Sequence, residues 1–284
     1  PELLTWLGER IPAGMTFSAS SPSRFAGCPW RFFARDLLHL EPLAEPEALM
    51  TPAQAGSFCH AVLWRTMTSL RGSAGELDLS AASVEDVREA LAAAVAAERE
   101  RLSGRAVWSG LWSAQVHLWE AMLRAYVEAQ HAAADGRTMR HFELGFGVRG
   151  RAAEEADPAS RDEPVELSAG EVAFRLEGKI DRVDALADPS VAAAGPALLA
   201  VDYKTGRPPS PAELAAGADL QLALYAEALA ELTGLPVAGG SYHDVRRNRQ
   251  REVSVRQDLR LQGSDPLAYE DWLRESMAAV GEHL

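Results

Sequence analysis

The chain has 284 residues, 47% hydrophobic and 24% charged, with a formal net charge of −13. That is enough apolar residue for one large domain or two small ones, and it excludes disorder, collagen and a disulfide scaffold. Two cysteines, Cys28 and Cys59, cannot build a disulfide framework or supply four thiolates to a metal cluster, so a reducing, cytoplasmic setting is expected. No stretch has the length and apolarity of a membrane span, and no signal-peptide pattern opens the chain, so no membrane partner is expected. The acidic balance leaves any contact with phosphate groups to a local basic patch. The first residue, Pro1, reads as a processed protein or a domain cut from a larger one.

Phe17 to Phe25 reads as a Ser-rich cap feeding a helix, which Cys28 to Phe33 continues with its aromatic residues in the core. A loop with Pro and Glu runs from Glu41 to Pro52. Gly56 to Leu70 is helical, with His60, Leu63, Trp64 and Met67 on one face. After a Gly/Ser linker at Arg71 to Gly75, Val84, Val87, Leu91 and Val95 mark a second helix. Trp112, Trp119, Met122, Leu123 and Tyr126 mark a third, at about 111–134, and read as packing rather than a stacking platform. Phe142 to Val148 alternates like a strand. Residues 150–164 read as an exposed loop, and Glu171 to Leu186 as extended chain at a hairpin edge. Ala197 to Val201 is a continuous apolar run, as a buried strand should be. A helix at about 219–233, a strand at Val237 to Val245, a further strand at Arg251 to Leu261 and a terminal helix at Pro266 to Val280 complete the pattern. No linker divides the chain. We expect one α/β domain over 1–284, with a mainly helical section at 1–140 and a mixed-sheet core at 141–284.

Val201-Asp202-Tyr203-Lys204-Thr205-Gly206 is the strongest local signal. Alternation along a strand places Asp202 and Lys204 on one side. A carboxylate there suits a hard divalent cation, and an adjacent ammonium can balance charge developing on a phosphate. Asp181, in Gly178-Lys179-Ile180-Asp181-Arg182-Val183-Asp184, can add a carboxylate from a neighbouring strand. On spacing alone an ordinary strand-end ion pair fits as well. Of the 28 basic residues 26 are Arg, and both lysines fall inside these two motifs. Lys is a compact, tunable charge where Arg is a broad fixed fork, so its retention favours a role that Arg would not fill.

In this order the motifs resemble those of RecB-type nucleases of the PD-(D/E)XK superfamily, similar to the nuclease domains of AddAB- and RecBCD-like helicase–nucleases. Ser18 to Phe33 resembles the entry helix, Gly56 to His60 the G-x-x-x-H motif, and Gly178 to Asp184 the G-x-x-D-R-x-D motif. Asp202 to Gly206 resembles D-Y-K-T-G, and Gln221 to Tyr225 the Q-x-x-x-Y helix. Glu143 sits where the family places a strand glutamate. The resemblance covers almost the whole chain.

The resemblance implies a restriction-endonuclease-like mixed sheet flanked by helices. It also implies a Mg²⁺- or Mn²⁺-dependent deoxyribonuclease, acting as an exonuclease on single-stranded or unwound ends in recombination and double-strand-break repair, beside a helicase subunit or domain. His60, Asp181, Asp202 and the backbone carbonyl of Tyr203 would be metal ligands, and Glu143 a further ligand or a neighbouring acceptor. Lys204 would be the catalytic lysine, with Gln221 and Tyr225 one helical turn apart facing the site. On the residues alone His60 is a histidine on an apolar face, Tyr225 fits the core and Asp184 pairs with Arg182. Arg246, Arg247, Arg249 and Arg251, with Arg256 and Arg260, outweigh Glu252 and Asp258 and form either a DNA-guiding patch or a solvated surface strand. Arg24, Arg31 and Arg35 form a second candidate cluster. Many relatives carry an iron–sulfur cluster. Cys28 matches its first ligand, but the chain holds no further cluster cysteine, so it does not by itself support one: either the protein lacks the cluster, or the remaining cysteines lie outside this chain. A catalytically silent DNA-binding or scaffolding domain of a helicase–nuclease is the alternative, as is a stand-alone or CRISPR-adaptation end-processing nuclease. The intact Asp181, Asp202 and Lys204 weigh against the silent domain.

Overall fold

The computed structural model describes residues 16–41, 49–71, 73, 75–103, 110–133, 136–148, 157–169, 172–186, 197–215 and 219–254. Strand β1 (Thr16–Ser18) is followed by helices α1 (Ser21–Gly27) and α2 (Pro29–Phe32), a π-turn at Phe33–Leu37, and α3 (Pro52–Arg71). After a short 3₁₀ turn come α4 (Val84–Ser103), α5 (Gly110–Ala133), β2 (Arg137–Phe146), β3 (Val165–Ala169), β4 (Val172–Leu186) and β5 (Ala197–Lys204). Then follow α6 (Pro211–Ala215), α7 (Gln221–Thr233), β6 (Val237–Asp244) and β7 (Arg249–Ser254). Among the described residues no helix is long and apolar enough to cross a membrane.

The seven strands form one mixed sheet. β4 is long enough to serve two sets of neighbours. Its first half pairs with β1 in parallel and β3 antiparallel, and its second half lies between β2 and β5, antiparallel to both. β6 lies parallel to β5 and β7 antiparallel to β6. Side chains on opposite faces of the sheet enter two cores. On one side Leu199, Val201, Tyr203, Met139 and Phe142 pack with α3, α4 and α5. On the other, Leu198, Ala200, Ile180, Val183 and Leu144 pack with α7. β5 feeds both, which is why its sequence is continuously apolar rather than alternating.

Local chemistry explains the elements that position the site. Thr51 and Gln54 satisfy each other's backbone N–H at 2.9 and 3.2 Å, a reciprocal cap that starts α3 beside Pro52. Its Ala55, Phe58, Cys59, Val62, Leu63 and Met67 stripe is buried, with His60 at the margin. α7 is buried on nearly all sides and ends at Gly234, which takes the left-handed conformation. It lies close on the sheet because Gly240 has no side chain: a Cβ there would come within 2.8 Å of Leu222 Cδ2 and 3.2 Å of the Ala200 carbonyl.

The sheet corrects three expectations. Val172–Leu186 is not an edge, since β4 is the most connected strand of the sheet among the described residues. β3 and the short α6 carry no periodicity strong enough to predict. Trp30 is not core: it is 72% exposed with its ring against Phe33, while Phe32 fills the core position. A four-residue helix gives an aromatic run no period long enough to show which ring faces inward. The strand at Arg251 to Leu261 is seen as β7 as far as Ser254. The remainder, and the helix expected at Pro266 to Val280, lie outside the described residues.

Candidate metal and active site

The candidate residues meet where β4 and β5 run side by side. Arg182 pairs with Val201, so Asp181 stands opposite Asp202 on the α7 side of the sheet. Asp181 Oδ2 accepts the Tyr203 backbone N–H at 2.8 Å. Its Oδ1 lies 3.2 Å from His60 Nδ1, and His60 Nε2 lies 3.0 Å from the Tyr203 carbonyl oxygen. Helix α3 thus delivers His60 to the seam between the two strands.

Glu143 reaches the same point from β2. Phe142 pairs with Arg182 and Leu144 with Ile180, which puts Glu143 level with Asp181. Its φ of 57° is left-handed, an unfavourable conformation for a non-glycine residue in mid-strand and a form of strain associated with functional sites. The Glu143 carbonyl accepts from the Asp157 N–H at 3.4 Å, and Asp157 Oδ2 accepts from Phe142 N–H at 3.2 Å, so the segment beside β2 holds the kink. Ligand atoms of His60, Glu143 and Asp181 lie within 4.8 Å of one another.

Asp202, opposite Asp181, has its side-chain contacts with Lys204 and Gln221. Lys204 Nζ is 2.7 Å from its Oδ2, and Gln221 Nε2 donates to its Oδ1 at 2.9 Å. Gln221 Oε1 accepts from Lys204 Nζ at 2.9 Å, closing a three-residue ring. The Tyr225 hydroxyl is 3.3 Å from Gln221 Nε2, one helical turn on. The start of α7 is fixed so that Gln221 faces this ring: Asp219 accepts from Gln221 N–H and from the Tyr242 hydroxyl, and Ser23 accepts from Leu220 N–H. Gly178 lets Tyr225 approach β4, since a Cβ there would be 3.2 Å from its ring.

The electrostatics are those of crowded carboxylates. Burial, then the Asp181 charge, pushes Asp202 up to about 6. The same two causes raise Glu143. Asp181 is lowered: burial opposes its charge, but His60, the Tyr203 N–H and Lys204 outweigh burial. Burial pulls His60 down, yet Asp181, Asp202 and Glu143 together hold it up at about 9. Burial likewise opposes the Lys204 charge, and Asp202 with Asp219 raises it. Asp202 Oδ2 is buried and faces the Lys204 ammonium at 2.7 Å. Carboxylates, one imidazole and a backbone carbonyl are nitrogen and oxygen donors, and such a set suits Mg²⁺ or Mn²⁺. The residues present fit a hard divalent cation.

The back of the sheet braces this site. Arg182 and Asp184 are almost fully buried and pair at 2.7 Å. The Arg182 guanidinium lies 5.7 Å from the Tyr203 ring centre, and Tyr126 shares a 2.6 Å hydrogen bond with His243 beside it. His243 is held well below its ordinary value by burial and then by Arg182, so the ring that shares this bond is neutral.

The expected arginines divide. Val245 to Asn248 form the turn after β6, one residue past the level of Lys204, whose carbonyl accepts from Val245 N–H at 3.1 Å. Arg246 and Arg249 are exposed there. Arg247 is bound to Asp244 at 3.1 Å, and Arg251 donates to the Pro209 carbonyl. Arg256 and Arg260 lie outside the described residues. In the second cluster Arg24 is engaged by Asp36, while Arg31 and Arg35 are exposed. Cys59 is buried and its thiol is pushed up to about 12 by burial; Cys28 is half-buried between α1 and α2. Sequence reasoning did not single out Lys179 as a site residue, although its ammonium contacts Glu143; the bias against lysine in this chain was the available signal.

Carboxylates and a lysine at adjoining strands of a mixed sheet are the equipment of a phosphodiester hydrolase. A model of the PD-(D/E)XK nuclease superfamily matches residues 16–282, and the chain belongs to that superfamily. Its mixed sheet flanked by helices is the restriction-endonuclease-like fold, and nucleases of this superfamily use divalent metals. No curated protein matched the chain.

Proposed function

We propose that this protein is a single RecB-type nuclease domain, a Mg²⁺- or Mn²⁺-dependent deoxyribonuclease that degrades single-stranded or unwound DNA from its ends. Recombination and double-strand-break repair, with a helicase subunit or domain opening the duplex, is the setting we assign to it. The observation that carries the reading is the gathering of His60, Glu143 and Asp181 donors within 4.8 Å, with Asp202, Lys204 and Gln221 alongside.

His60, Asp181, Asp202, Glu143 and the Tyr203 carbonyl would hold the cation, which when bound supplies Lewis-acid polarisation of the phosphate. Lys204 balances negative charge that develops on the phosphate oxygens as the bond to phosphorus changes hands. Gln221 ties Lys204 to Asp202 and sets the direction of the ammonium. Tyr225 supports Gln221 from below. Arg246 and Arg249, exposed past the end of β6, draw the DNA backbone toward this end of the sheet, with Arg247 and Arg251 on the same hairpin.

The test is cleavage of linear single-stranded DNA, labelled at either end, and of circular single-stranded DNA, in Mg²⁺, Mn²⁺ or EDTA. Short products from the linear strand, an intact circle and no cleavage in EDTA are expected. Cutting of the circle would replace the exonuclease reading with an endonuclease one. Cleavage in EDTA would remove the metal.

A further inference from the structure

The two lysines of this chain, among 28 basic residues, both stand at the carboxylate cluster. Lys204 is paired with Asp202 at 2.7 Å, and Lys179 is paired with Glu143. Lys179 precedes Asp181 by two positions on β4, and Glu143 lies within reach of both. The cluster is therefore flanked by one ammonium on the β5 side and one on the β2 side. They differ in setting. The Lys204 side chain is 26% exposed and also bound by Gln221; that of Lys179 is 40% exposed and reaches solvent.

We propose that Lys179 occupies Glu143 in the metal-free site and, when a divalent cation takes that carboxylate, turns to bind a phosphate of the substrate strand beside the scissile one. This rests on the metal-dependent nuclease reading above. The exchange is possible because the partly exposed Lys179 has solvent to turn to and the cation replaces its charge beside the buried Glu143, unlike the Arg182–Asp184 pair, in which both groups are buried. Lysine suits it. A guanidinium would grip Glu143 through two parallel hydrogen bonds, whereas a single ammonium lets go and meets a phosphate as a point charge.

The experiment compares wild type with Lys179→Met, Lys179→Gln and Lys179→Arg. Mn²⁺ binding is measured by calorimetry without DNA, and binding of single-stranded DNA is measured against salt in Ca²⁺. The uncharged variants should bind Mn²⁺ about two- to five-fold more tightly, because a competitor for Glu143 is gone. Their DNA affinity should fall, and the slope of log affinity against log salt should be shallower by about 0.7, one phosphate contact on a single strand. Lys179→Arg should keep the wild-type salt slope. A wild type that binds no Mn²⁺ sinks the nuclease reading and this assignment with it. A wild type that binds Mn²⁺, beside uncharged variants with unchanged or weaker Mn²⁺ binding or an unchanged salt slope, overturns Lys179 alone. If both uncharged variants fail to fold, Lys179 is a structural residue and the assignment falls.

Discussion

His60 Nε2 lies 3.0 Å from the carbonyl oxygen of Tyr203. A carbonyl offers only lone pairs, so the nitrogen must carry a proton there. The other ring nitrogen lies 3.2 Å from the Asp181 carboxylate, which also calls for a proton. The ring is thus an imidazolium, held so up to about pH 9 by Asp181, Asp202 and Glu143 against the pull of burial. His60 and Asp181, with the Tyr203 carbonyl, are among the donors that would hold a cation, and the ring proton competes with it.

Cation binding should therefore expel the His60 proton. Below about 9 the proton competes with the metal, and above it competition ends. Mn²⁺ affinity should rise about tenfold per pH unit between pH 6.5 and 8.5. Asp202, pushed up to about 6, adds a second competing proton at lower pH and steepens the fall there. Titration of Mn²⁺ at several pH values checks this, and His60→Gln should flatten the profile above pH 6.5. A flat wild-type profile would remove His60 from the ligands.

Chelation should act on stability as well as on cleavage. Without a cation, Glu143, Asp181 and Asp202 crowd one buried site, and the folded protein carries their repulsion. Mn²⁺ at about 100 times its dissociation constant should stabilise the fold by about 2.7 kcal/mol, read as a higher melting temperature that EDTA reverses. No thermal shift on adding Mn²⁺ or Mg²⁺ would argue that the cluster does not bind them.

The Arg182–Asp184 pair should matter to folding far more than the exposed pairs do. Both groups are nearly inaccessible to water. Asp184→Ala leaves a guanidinium buried without its carboxylate and should cost about 3–5 kcal/mol in urea unfolding. Arg88→Ala, which breaks an exposed pair with Glu128, should leave the urea unfolding midpoint almost unchanged. Replacing both Arg182 and Asp184 by apolar residues of similar size should recover much of the Asp184→Ala loss.

The parts of this site legible in the sequence are those whose signal is local. An apolar run ending in Asp202 and Lys204 fixes a buried strand and the shared direction of both side chains. The four-residue spacing of Gln221 and Tyr225 puts them on one helix face. What stayed hidden depends on distant pairing. β1 has three residues and is ordered by β4, more than 150 positions on, so no local pattern marks it. The centrality of β4 comes from four neighbours spread across the chain. The left-handed backbone at Glu143 is held by Asp157, and nothing about a glutamate in a strand announces it. Lys179 was visible as a rare residue, but its partner was not, since that depends on the register of β2 against β4.

Lys204 offers the sharpest test of the catalytic reading. Its ammonium is bound by Asp202 at 2.7 Å and Gln221 at 2.9 Å, and it lies 5.1 Å from the centre of the Tyr242 ring. Three neighbours thus fix a small cation at one point. Lys204→Ala should remove about 10²–10³ in single-turnover rate, the usual worth of one positioned charge-stabilising group. DNA affinity should survive, because it comes mainly from arginines along the backbone path. Lys204→Arg should also be slow. A planar fork cannot take the place of a point charge between a carboxylate, an amide oxygen and an aromatic face, and it would draw Asp202 into a two-bond pair. Rates and binding measured side by side at fixed salt separate the outcomes. A Lys204→Arg protein that cleaves at the wild-type rate would show that any positive charge serves. A Lys204→Ala protein that loses rate and DNA affinity in equal measure would show that Lys204 binds the strand rather than supporting the reaction.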